Sequence, residues 1–332
     1  MTEKAELVRR VLTGDKVERI PYSLWTHFPG IDLDPERLAE TTAGFCREFD
    51  LDFVKTMSNG LFSIEDWDCD CDYGEIASGG VAKVTRFAVN EPEDWDRLGP
   101  LDLERGALAR ELSSLRSLLA ALGPETPILA TVFSPLTTAQ KLSGKALRAH
   151  LRSDPERVRQ GLAVIAESTA RFAARAVELG AAGVYFASQM SRQGETTEAE
   201  YADFGLPGDL EVLRAVAGAG WFNVMHVHGD DIHFDLLKGY PVQGISWHVW
   251  ETGPTIEDFL GSTEACVVGG LRRFKITEGD LPALQRDVAE TTRLTGGKRL
   301  FLAPGCVIRY PYDRATLRFV RDAIFDADSR GD

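Results

Sequence analysis

Sulfur and imidazole are scarce in this chain: 332 residues contain five cysteines and six histidines. An odd, scattered cysteine set, with no apolar signal core near the N-terminus, excludes a disulfide framework and reads as reduced thiols or ligands in a cytoplasmic protein. No apolar run approaches the roughly 18 residues that a membrane span needs, so no membrane association is expected. Basic residues are in deficit, 37 against 51 acidic, for a net charge of −14. That balance excludes a general nucleic-acid or anionic-membrane surface and disfavours polyanionic substrates unless a local basic pocket exists. No G-x-G-x-x-G follows an early strand, which removes the dinucleotide reading. Pro- or Gly-rich linkers, internal repeats and low-complexity tracts are also missing, so residues 1–332 are expected to form a single domain.

What is present is an alternation. Eight short β-rich runs begin at Ile20, Asp52, Pro127, Gly183, Phe222, Gly244, Ala265 and Arg299. Segments of helical apolar spacing lie between most of them, such as "PERVRQGLAVIAESTARFAARAVELG". The pattern predicts an α/β fold, a (β/α)8 TIM barrel, in preference to a doubly wound sheet. Residues 61–98 do not fit the repeat. Their "WDCDCDYGE" and "GGVAKVTRFAV" predict an extra hairpin inserted after the second strand as a rim element. Cys69 and Cys71 alternate there with acidic residues, and no second cysteine pair lies nearby, so a strand before a turn is favoured over a zinc site.

In such a barrel the chemistry sits at the C-terminal strand ends. Those ends carry Trp25 and His27, Met57 and Asn59, Ser134, Ser188 and Gln189, His226 and His228, His248, Gly269 and Gly270, and Cys306. Side chains two apart on a strand share a face, so His226 and His228 point together into the mouth, and Cys306 approaches from strand eight. Two imidazoles and a thiolate are three zinc ligands, with a fourth position open as in catalytic zinc. The same histidines also suit acid–base work or a hydrogen-bonded core, which leaves a metal-free decarboxylase or lyase open, with His226, His228, His248 and His27 as catalytic candidates. Substrate-binding candidates are Trp25, Asn59, Gln189, Trp247 and Arg309. Trp247 and Trp250 flank His248 and either line an aromatic mouth or fill core. One of Arg192, Arg272, Arg273 and Arg309 is expected to clamp a carboxylate or phosphate. Asp230 and Asp231 either cap the helix "DIHFDLLKG" or orient a histidine.

Three stretches, "LVRRVLTGDKVERIPYSLW", "HVHG" followed by "GISWH", and "FLAPGCVIRYPYDRATLRFVRDAI", resemble the uroporphyrinogen decarboxylase superfamily along nearly the whole chain. The resemblance implies the same barrel, a small-molecule substrate and a homodimer. The methyltransferase branch, which passes a methyl group between a corrinoid protein and coenzyme M, is marked by His-x-Cys on the fifth strand and a later Pro-Gly-Cys, all three binding zinc. His226 and Cys306 match the outer ligands, and His228 stands where the branch has cysteine. The implied activity is zinc-dependent methyl or alkyl transfer to or from a thiol or a corrinoid on a partner protein. A noncatalytic small-molecule or corrinoid-partner barrel is the remaining alternative. The decarboxylase branch carries paired arginines in its first-strand loop, whereas no arginine lies between Arg19 and Arg37 here; uroporphyrinogen itself is not the expected substrate.

Overall fold

The computed structural model describes residues 4–328. Its strands are β1 (Val54–Lys55), β2 (Asp70–Asp72), β3 (Lys83–Arg86), β4 (Ile128–Phe133), β5 (Gly183–Ser188), β6 (Val224–Val227), β7 (Gly244–Ser246), β8 (Cys266–Leu271) and β9 (Leu300–Pro304). Seven of them pair in parallel in the order β1-β4-β5-β6-β7-β8-β9, while β2 and β3 form a separate antiparallel ribbon. Every residue of β4, β5 and β8 is buried, because helices cover the outside and the chain's own side chains fill the inside. This is why these strands read as continuous apolar runs.

The sheet curls strongly. A flat seven-strand sheet would separate its edge strands by about 29 Å at the usual strand spacing. Instead the ring of Phe53, just before edge strand β1, lies 5.5 Å from that of Phe301 on the opposite edge strand β9. Phe222, which precedes the central strand β6, is 5.3 Å and 4.9 Å from the same two rings. These aromatic rings form a floor to the interior, below the strand ends.

The first β-rich run does not become a regular strand. Residues 20–26 make only isolated parallel bridges, Tyr22 to Leu302 and Thr26 to Ile308. On the β9 side, Ser23 N–H donates to Leu302 O, and Leu302 N–H to Pro21 O. On the β1 side the ladder is replaced by a side chain: Tyr22 N–H donates 2.9 Å to the Asp52 carboxylate, and only Asp52 N–H returns a backbone bond, to Tyr22 O. Pro21 has no N–H to contribute. The segment thus runs between the two edge strands, held by mixed bonds.

The longest described helix starts on its sequence signals. Pro155–Glu178 begins with Asp154 accepting from Arg157 N and with proline in its first turn. It buries Val158, Leu162, Ile165 and Phe172 at helical spacing. Among the described residues no helix is long and apolar enough to cross a membrane.

Candidate metal and active site

His226 lies on β6, in register with Ala187 of β5 and Ser246 of β7. The ladder runs one step further, His228 N–H donating to Ser188 O at 2.9 Å, so both imidazoles leave the same strand face. Their ring centroids are 6.1 Å apart. Cys306 arrives from the far edge of the sheet, and Gly305 makes that approach feasible. A Cβ at Gly305 would sit 3.1 Å from Trp247 O and 3.2 Å from His248 Cα, so a larger residue would push the turn away from the end of β7. The Cys306 Sγ ends 3.4 Å from His228 Nδ1. One ligand atom from each of His226, His228 and Cys306 lies within 4.8 Å of the others. The three side chains border a cavity of about 320 Å³, a size suited to a small molecule.

The family model of uroporphyrinogen decarboxylase (URO-D) matches residues 3–326. The chain belongs to the URO-D family. Methylcobamide:CoM methyltransferase MtbA of Methanosarcina acetivorans is 23% identical over 319 residues, spanning 91% of this chain and 92% of the relative. The protein of the same name from Methanosarcina mazei is 20% identical over 238 residues, 68% of this chain and 70% of the relative. Among solved structures, a methyltransferase from Methanosarcina mazei superposes with a TM-score of 0.85 at 18% identity, over 99% of both chains. A putative vitamin-B12 independent methionine synthase from Listeria monocytogenes gives 0.58 at 15% identity, over 90% of this chain and 87% of that one. These superpositions show a shared fold.

Around the three donors of this URO-D member the electrostatics favour a thiolate. Burial alone would raise the Cys306 thiol, but the neighbouring imidazoles of His226, His228 and His248 pull it well below its ordinary value. Burial lowers His226, partly offset by Cys306. Burial would also lower His248, yet Cys306 and Glu251 outweigh it and leave the imidazole raised. His248 Nδ1 lies 2.8 Å from Glu251 Oε2, and its buried Nε2 has no hydrogen-bond partner. Its ring is 5.3 Å from that of His228. His27 is pushed down to about 4, first by burial and then by the Lys55 ammonium.

Of the ten catalytic, substrate-binding and metal candidates, Trp25, His27, Gln189, His226, His228, Arg309 and Cys306 reach the cavity wall. Three do not. Trp247 is fully buried on the other side of its strand, stacked on Phe259 at 4.7 Å with its indole N–H on Pro254 O. His248 lies behind the wall, against the donors. Asn59 is an internal strut: its amide oxygen accepts from Leu61 N at 2.8 Å and its amide nitrogen donates to Glu65. Asn59→Ala is therefore expected to reduce stability by about 1–3 kcal/mol, the usual penalty for stranding buried partners, while leaving substrate KM unchanged. Chemical denaturation alongside steady-state kinetics separates these effects.

Asp230 and Asp231 do not cap the helix Phe234–Leu237, whose N-cap position is His233. Asp230 pairs with Arg192 at 2.6 Å, and Asp231 N–H donates to Thr252. Arg192 and Arg272 are committed to Asp230 and Asp287, whereas Arg273 and Arg309 reach the cavity. Trp250 gives its indole N–H to Gly270 O. Cys71 pairs with Val84 in the ribbon, and among the described residues neither Cys69 nor Cys71 joins a group of three possible metal ligands. Among the wall residues that escaped the strand-end reading, four carry polar groups on β1, β4, β5 and the helix Pro135–Ser143: Lys55, Thr131, Tyr185 and Lys141. Only Lys55 had a visible signal, a charged residue inside the apolar run "DFVKTM".

Proposed function

We propose that the chain transfers a methyl or alkyl group to or from a thiol or a corrinoid, with His226, His228 and Cys306 holding a zinc ion. The convergence of those three donors on one cavity carries this reading. Tetrahedral zinc with ordinary bond lengths separates its nitrogen and sulfur ligands by roughly 3.4–3.6 Å, and the Cys306–His228 pair stands at 3.4 Å. Bound there, zinc would supply the Lewis acidity that holds a thiol ionised near neutral pH. The two MtbA relatives support methyl transfer as the reaction class. A corrinoid protein is the proposed methyl carrier, and a homodimer the proposed assembly.

The surrounding side chains fit this task. Ser246 Oγ is 3.3 Å from His226 Nδ1 and accepts from the Tyr185 hydroxyl at 3.4 Å, which fixes the imidazole and leaves Nε2 for the metal. The Tyr185 ring stacks on His226 at 5.4 Å. Glu251 favours the proton on His248 Nδ1, so His248 Nε2 keeps a lone pair, and its ring lies beside those of His226 and His228. His228 in place of a thiolate makes the ligand set less negative than His-x-Cys, with a stronger pull on a bound sulfur. In this reading residues 20–26 are the eighth member of a single-domain barrel, and residues 61–98 are its inserted rim element.

The test is metal content followed by turnover. Protein purified without chelator should carry about one zinc per chain, and thiols should drive demethylation of methylcobalamin, followed by its visible spectrum. Thiol binding should release about one proton per site. Zinc without any thiol-dependent demethylation, across neutral and anionic thiols, would remove the transferase reading.

A further inference from the structure

A carboxylate is buried behind the strand ends, outside the cavity. Asp209, on the helix Leu206–Ala217, is fully buried. The hydroxyls of Tyr201 and Tyr240 donate to its Oδ2, the latter at 2.8 Å, while Oδ1 has no hydrogen-bond partner among the described residues. Burial pushes the carboxyl up to about 7, and what opposes that rise is the two hydroxyls, with no lysine or arginine taking part. A buried charged group of this kind is weak ground for stability. Its bonds lead to the end of β5.

With the Tyr201 proton committed to Asp209, Ser188 Oγ donates to the Tyr201 oxygen at 3.1 Å, and Ser191 Oγ donates to Ser188 Oγ at 2.8 Å. The hydroxyls thus form one relay that ends on the carboxylate, each bond polarising the next. Ala187 lines the cavity, so Ser188, one residue on, turns its side chain the other way, towards these groups. The carbonyl of Ser188 faces β6. Ser188 and Val227 are the last residues paired between β5 and β6, and His228, one step beyond, is held by a single backbone bond among the described residues, its N–H to Ser188 O at 2.9 Å. Gly229 follows at φ +99° and the ladder stops there. The loops beyond both strands join the same cluster: His233 N–H donates to Ser191 O at 3.0 Å, and Thr196 Oγ1 to Met190 O at 2.7 Å.

We infer that Tyr201 is a positioning residue for the candidate metal donor His228: its hydroxyl, aimed by Asp209, locks Ser188, and the Ser188 carbonyl fixes where the His228 backbone leaves the strand and so where its imidazole enters the cavity. A metal takes an imidazole only along the nitrogen lone pair, so movement at this strand end is felt as lost affinity. Tyr240 also donates to Asp209 but makes no hydrogen bond with Ser188, and it serves as a matched control. This role rests on the reading of His228 as a zinc ligand.

The test measures zinc affinity by chelator competition on full-length wild-type protein and on Tyr201→Phe, Ser188→Ala and Tyr240→Phe, each of which deletes one buried hydroxyl. Tyr201→Phe and Ser188→Ala are expected to bind zinc about tenfold more weakly, the low end for lost outer partners of a metal ligand, and their cobalt-substituted forms to show shifted visible bands. Tyr240→Phe should match wild type in both. The double variant Tyr201→Phe/Ser188→Ala should bind no more weakly than either single one, since both remove the same contact. In metal-free protein the His228 amide should exchange with solvent deuterium faster in Tyr201→Phe and Ser188→Ala than in Tyr240→Phe. Unchanged zinc affinity in Tyr201→Phe, or an equal loss in Tyr240→Phe, would overturn the positioning role and leave the hydroxyls as packing. Wild-type protein that binds no zinc would instead overturn the metal reading, and the exchange rates would then decide the hold on His228: equal rates in the three variants would end it. Ser188→Ala breaks the same contact and decides the matter if Tyr201→Phe fails to fold.

Discussion

Cys306→Ala protein is expected to purify with little zinc and to lose methyl transfer by about three orders of magnitude, the scale of several kcal/mol of lost Lewis-acid stabilisation. Two imidazoles remain after the substitution, one short of the three protein ligands that catalytic zinc sites keep. The loss should not come from unfolding. Cys306 lies on the cavity wall and not in the packed floor, so removing Sγ opens space that already borders the cavity. Metal-free wild-type and variant proteins should melt together. Zinc-loaded wild-type should melt higher, because a ligand present at a hundred times its Kd adds about 2.7 kcal/mol of stability. A packing role for the small residue after Gly305 would give the opposite pattern: full metal content, full activity and a lowered melt for the apo variant. Metal analysis, single-turnover demethylation and paired apo and zinc-loaded melts distinguish the two.

The candidate metal donors were legible because they depend on rules that act within one strand or at one strand end. His226 and His228 need only the two-residue period of a strand, and β6 is regular enough to keep it. The same period explains Trp247 in hindsight. Ser246 pairs with His226 and faces inward, so Trp247 must face outward and His248 inward again. Asn59 was misplaced for a different reason. β1 ends at Lys55, and beyond it the "TMSNG" turn follows no strand period, so the amide turns to Leu61 and Glu65 instead of the cavity. The cationic wall of Lys55, Lys141, Arg273 and Arg309 was hidden by summation: net charge averages over a surface of ion pairs and says nothing of a cavity whose lysines come from β1 and from the helix Pro135–Ser143. The first strand was overread because its sequence has the apolar character of a strand, while its bonds on one side go to the side chain of Asp52.

That carboxylate sets the second large effect, a loss of about 3–5 kcal/mol on Asp52→Ala. Asp52 is fully buried. It accepts from Arg19 Nη1 at 2.6 Å, from Arg19 Nη2 and from the Tyr22 N–H, and so replaces the ladder that residues 20–26 fail to make with β1. Alanine would leave a largely buried guanidinium without its anion and a buried N–H without an acceptor, the costly way to break such a pair. For a chain of this size the loss corresponds to roughly 6 °C in Tm. Glu178→Ala, which breaks the exposed helical pair with Arg175, should cost less than about 0.5 kcal/mol. Asp52→Asn should fall between them, since its amide oxygen still accepts from Tyr22 while the charge on Arg19 goes unmatched. Function should follow stability, because the anchored segment carries Trp25 and His27 to the cavity wall. Urea unfolding of the four proteins measures the order. An Asp52→Ala loss no greater than that of Glu178→Ala would mean that the buried side chains of Tyr22, Leu24 and Trp25 hold the segment by packing alone.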